Sequence, residues 1–215
     1  MKFQKRKGIT YFQKGKNPQL LIMSGTHGNE YHILPTVVSV VQEMESILPS
    51  FMYIPEASPS AVKQKTRVNG CGHDINRGFG KLVDPEVLAL KELISPLSHV
   101  LGISFHEDLE FQEFYFYDTH SLGSEQLDTF RKQVKELKVP LRTGFDQPDD
   151  PALSYAIKEG YIDFVGAASK NGQFIEDWAM YHGHFTRFLT FEIPYKHEQV
   201  ALLVKNCIQL ALTLL

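Results

Sequence analysis

Seven short apolar runs alternate with five longer amphipathic ones along this chain. The short runs, at 8–12, 20–23, 51–54, 100–105, 114–117, 161–166 and 188–193, are rich in β-branched and aromatic residues, which is how strands read. The long runs, at 31–48, 84–93, 124–137, 174–181 and 196–212, repeat their apolar residues with a helical period. Strands that alternate with helices predict an α/β fold: a mainly parallel mixed sheet with helices on both faces. No repeat, low-complexity tract or long linker divides the 215 residues, so 1–215 reads as a single compact domain with room for a substantial core. Two irregular stretches, 55–81 and 139–151, are long for such a domain, and long loops of this kind are usually functional.

With 22 Lys and Arg against 25 Asp and Glu, the chain has no basic excess with which to grip nucleic acid. Its two cysteines, Cys71 and Cys207, make neither a disulfide framework nor a paired-cysteine metal site. The start is basic, but 8–18 contains no long apolar segment, so no secretory leader is expected. The apolar stretch 200–215 is broken by Lys205, Asn206 and Gln209 at helical spacing, which predicts a helix packed on the core and no membrane span. A cytoplasmic setting is the expectation that follows.

Chemistry concentrates where apolar runs end. After Leu20-Leu21-Ile22-Met23 the chain turns at Ser24-Gly25 and enters Thr26-His27-Gly28-Asn29-Glu30. His27 and Glu30, three apart at a helix start, share a face and can converge on one point. His106 closes the apolar run 100–105, and Glu192 stands between Phe191 and Ile193, a costly place for a carboxylate without a charged partner. Two histidines and a glutamate form the ligand set known from carboxypeptidase A, with one zinc position left open.

These pieces, together with Ala61-Val62-Lys63-Gln64-Lys65-Thr66-Arg67, Asp74-Ile75-Asn76-Arg77 and Phe191-Glu192-Ile193-Pro194, resemble the zinc carboxypeptidase superfamily. The nearest look is the aspartoacylase and succinylglutamate desuccinylase branch, which shares the Gly-Thr-His-Gly-Asn-Glu run and the Ala-Val-Lys-x-x-Thr-Arg stretch. The resemblance implies that His27, Glu30 and His106 hold one Zn²⁺ and that Glu192 is the general base. It gives Arg67 to the oxyanion, Asn76 and Arg77 to a substrate carboxylate, and Asp74 to orienting the first zinc histidine. The substrate it implies is a small peptide or an N-acyl amino acid with a free carboxylate.

Two segments depart from the acylase branch. Around His106 the chain reads Ser-Phe-His-Glu-Asp where aspartoacylases have Asp-Leu-His-Asn-Thr, and Phe-Glu-Ile-Pro looks more like peptidases. The favoured expectation is therefore a metallocarboxypeptidase acting on small peptides. An N-acyl amino acid deacylase is the alternative, and a catalytically silent peptide- or metal-binding relative is the third. Peptidases of the superfamily carry a tyrosine upstream of the catalytic glutamate that covers the substrate, and Tyr181 is the best-placed candidate. Asp177, or Glu176 beside it, projecting into the specificity pocket would favour a basic side chain. For Glu107-Asp108, solvation, zinc tuning and contact with a cationic substrate all stay open, as does a cleft-lining role for the aromatic run 114–117.

Overall fold

A computed structural model describes residues 1–147, 154–164 and 172–215. Along the described residues the elements are β1 (Gln4–Arg6), β2 (Ile9–Lys14), β3 (Leu20–Ser24), α1 (Leu34–Met44), β4 (Phe51–Ile54), α2 (Pro59–Gln64), α3 (Pro85–Ile94), β5 (Val100–Asp108), β6 (Tyr115–Asp118), α4 (Ser124–Glu136), β7 (Gly144–Phe145), β8 (Ala156–Ile157), β9 (Tyr161–Asp163), α5 (Ile175–Tyr181), β10 (Phe185–Pro194) and α6 (Val200–Leu212). Eight strands make one sheet in the order β1-β2-β4-β3-β5-β10-β6-β9. Its centre, β4-β3-β5-β10, is parallel. β2 and β6 flank that centre in the opposite direction.

Helices cover both faces, as the alternating pattern predicts. On β3, Leu20 and Ile22 point to the side packed by α1, α4 and α6, where Val37, Phe130 and Leu203 belong to the same core. Leu21 and Met23 point to the other side, where Leu90 of α3 and Trp178 of α5 pack. Strands covered on both faces need apolar residues at every position, and β3 and β4 are buried throughout. No helix among the described residues is long and apolar enough to cross a membrane.

The boundaries differ from the sequence reading where polar residues find partners. β5 runs three residues past Phe105, through His106, Glu107 and Asp108. The helix expected from residue 31 begins at Leu34, with Pro35 in its first turn, because Gly28–Glu30 forms a separate 3-10 turn. Inside 55–81 lies α2, with Pro59 at its first position and Lys65 in the left-handed conformation at its end (φ 56°). Of the strand expected over 161–166, residues 165 and 166 lie outside the described residues, as do 148–151 of the second irregular stretch.

Candidate active site

The β3–β5 register sets Ser24 beside Phe105, so the turn that leaves β3 meets the next residue of β5, His106. That turn passes through Gly25 at φ 65°. It then runs against α2: the Gly28 amide donates to the Thr66 carbonyl at 2.9 Å. A Cβ on Gly28 would stand 1.9 Å from the Ala61 carbonyl oxygen, so only glycine allows this approach.

His27, Glu30 and His106 are all buried, and one ligand atom from each lies within 4.8 Å of the others. Each imidazole turns Nδ1 to a different oxygen of Glu30, at 2.6 Å from His27 and 2.9 Å from His106. The Glu107 amide donates to the second of those oxygens at 3.3 Å. Burial alone would neutralise such a cluster, yet its members sustain one another's charge. Burial opposes the charge on Glu30, but His106 and His27 hold it well below the usual carboxylate range. Burial likewise opposes protonation of His106, and Glu30 pushes it up to about 9. A buried carboxylate between two imidazoles is a site that demands positive charge, and two nitrogens and an oxygen are donors that suit a divalent metal.

His27 Nε2, the ring nitrogen not facing Glu30, stands 3.2 Å from Asp74 Oδ1. A carboxylate on the far nitrogen is the usual way a ligating histidine is held in one orientation. The same Asp74 oxygen accepts from the Asn76 amide at 2.9 Å, and Oδ2 accepts from Arg67 Nε at 3.0 Å. Burial works against the Asp74 charge, but His27, Arg67 and Arg77 hold its carboxyl down at about 2. Arg77 donates to the Asn76 carbonyl at 3.1 Å and lies over the Phe174 ring at 4.7 Å. Asn76 Oδ1 is buried and without a hydrogen-bond partner.

Glu192 on β10 is the register partner of His106 on β5 and of Tyr115 on β6. The three therefore stand in one row and face the same way. Burial pushes Glu192 up to about 7; His106 pulls it down, and Glu30 and Asp108 push it further up. His27, Glu30, His106 and Glu192 open into one cavity of about 750 Å³, walled by Arg67, Asn76 and Arg77 on one flank and by Tyr115 and Tyr117 on another.

No protein-family model and no curated protein matches the sequence. Solved structures do. A candidate metallopeptidase of Shewanella amazonensis aligns over 96% of this chain and 82% of its own, with a TM-score of 0.73 at 17% identity. A metallo-carboxypeptidase of Burkholderia cenocepacia aligns over 96% of this chain and 60% of its own (TM-score 0.64, 16% identity). The murein-tripeptide amidase MpaA of Escherichia coli O157 aligns over 94% of this chain and 86% of its own (TM-score 0.60, 16% identity). The chain has the metallo-carboxypeptidase fold.

Within this carboxypeptidase-fold cavity the structure brings together His27, Glu30, His106, Arg67, Asn76, Arg77 and Glu192, with Asp74 joining His27 to Arg67. It does not bring Tyr181 there: that residue ends α5 with 51% of its surface exposed, its ring against His182. Asp177 is buried at 7% exposure but does not line the cavity, while its neighbour Glu176 does. Of the pair after His106, Asp108 is no solvated group; it accepts from the Glu110 and Phe111 amides and from the Tyr115 hydroxyl. Tyr115 and Tyr117 line the cavity while Phe114 and Phe116 fill the core. The alternation within 114–117 was the signal for that division.

Proposed function

We propose that the protein is a zinc-dependent hydrolase that cleaves an amide bond next to a free carboxylate, in its simplest form a cytoplasmic carboxypeptidase acting on small peptides. The observation that carries this reading is the pairing of Glu192 with His106 across β10 and β5, beside two arginines in the same cavity. His27, Glu30 and His106 would hold the Zn²⁺, which when bound polarises the scissile carbonyl and makes water a better nucleophile. Glu192, with its carboxyl near neutrality, takes a proton from the attacking water and returns it to the nitrogen as the C–N bond breaks. Arg67, fixed through Nε by Asp74, keeps its terminal N–H groups for the developing oxyanion. Asn76 and Arg77 take the substrate carboxylate, for which a planar guanidinium offers two parallel hydrogen bonds. The fold shared with a murein-tripeptide amidase supports a short peptide as substrate. Free Cys71 and Cys207 suit a reducing compartment.

Zinc-loaded protein incubated with free-carboxylate peptides, C-terminally amidated peptides and N-acyl amino acids, read by mass spectrometry, tests this. The expected outcome is loss of C-terminal residues from the free peptides alone. Glu192→Gln should lower that rate by about 10²- to 10⁴-fold. Release of acetate or succinate with peptides untouched would move the protein to the deacylases. Zinc bound without any product would leave a binding protein.

A further inference from the structure

On its β6 side the cavity changes character. Tyr115 and Tyr117 are two apart on one strand, so both rings face it, with centroids 5.9 Å apart. Each phenol has already committed its proton. Tyr115 donates to Asp108 Oδ2 at 2.9 Å, and Tyr117 donates to Asp146 Oδ2 at 2.8 Å. The other oxygen of each aspartate is occupied in turn: Asp108 Oδ1 by the Glu110 and Phe111 amides, Asp146 Oδ1 by the Gln147 and Tyr155 amides. Burial, with Glu192 and the aspartates beside them, holds both phenols protonated.

A phenol has one proton, so once it is given away the oxygen can offer a substrate only lone pairs. The carboxylate behind it makes that oxygen a stronger acceptor. These tyrosines therefore cannot stabilise an oxyanion or cap a carboxylate; they recognise hydrogen-bond donors. An independent observation points the same way. Glu176 lines the same side of the cavity, and burial disfavours its charge. Burial, with Asp177, Asp146 and Glu176 nearby, pushes the phenol of cavity-lining Tyr155 up. Buried carboxyl groups without a cation are costly, and a ligand cation relieves that cost.

We propose that the half of the cavity bounded by Tyr115, Tyr117 and Glu176 binds an ammonium group of the substrate, opposite the Arg77 flank that takes its carboxylate. This rests on the free-carboxylate reading above and narrows it to zwitterionic peptides. Acyl groups bearing a second carboxylate and no amine, such as succinyl or glutaryl, are disfavoured by the same acids. The ammonium has two sources: the side chain of the residue that carries the carboxylate, or a free amino terminus on the acyl half.

Calorimetric binding to zinc-loaded Glu192→Gln protein, which leaves ligands intact, separates these. Acetyl-glycyl-lysine has only a side-chain ammonium, glycyl-norleucine only an α-ammonium and acetyl-glycyl-norleucine neither; all three have a free carboxylate. One of the first two is expected to bind at least about tenfold tighter than the third, the size of a charge-assisted hydrogen bond. The winner identifies the source. Tyr117→Phe on the same background should remove that advantage, read as the ratio of the winning peptide's affinity to the third's; should that variant not fold, the three ligands on their own still decide. Equal binding by all three overturns the proposal and leaves the carboxylate reading standing. No binding by any overturns both.

Discussion

Phe105, Phe191 and Phe116 stand in one row across β5, β10 and β6; His106, Glu192 and Tyr115 stand in the next row and face the other way. The first row is core, at most 1% exposed, with Phe191 5.5 Å from each neighbouring ring. The second row is the floor of the cavity. A single residue along each strand thus separates a dry aromatic stack from the proposed proton-transfer site. The stiff row determines how accurately the polar row is held, because side chains on adjacent strand positions share one backbone.

The comparison can be broken first from the core side. Phe191→Ala should cost about 3–5 kcal/mol in chemical denaturation, the range for an emptied aromatic site. If the polar row depends on the stiff one, zinc affinity of the folded variant falls as well; unchanged affinity would mean that the two faces are independent. Gly28→Ala attacks the polar side alone. Its Cβ meets the Ala61 carbonyl, so α2 must retreat and carry Arg67 with it. A loss of about 1–3 kcal/mol is expected, the scale of overpacking, together with weaker binding of acetyl-glycyl-norleucine. The smallest effect concerns Asp177, which burial and Glu176 push from 3.8 to about 7. The folded state then keeps a proton that the unfolded chain releases, so stability falls as pH rises from about 4 to about 7. Asp177→Asn should flatten that slope in melting temperatures taken at pH 5 and pH 8.

Much of the polar row could be read in advance because its residues interrupt apolar runs: His106 closes one and Glu192 splits another. The central strands were legible for the same reason, and β4 has the bounds its apolar run suggests. The extent of β5 was not, since no propensity carries a strand through His-Glu-Asp. Only the partners make it possible: Glu30 for His106, His32 for Glu107, Tyr115 for Asp108. The tyrosine wall was half legible, because a period of two shows that two faces exist without showing which one meets a cavity. Tyr181 had the right residue type and order in the chain, but the end of α5 turns it to solvent. Asp146 gave no local sign, since its role depends on Tyr117 across 29 residues.

Asp74 gives one oxygen to His27 and the other to Arg67. The group that steadies an expected metal ligand is therefore the group that steadies the expected oxyanion arginine. Two sites that lean on one carboxylate would be thermodynamically reciprocal: whatever free energy an ion at His27 added to substrate binding at Arg67, substrate would return to the ion.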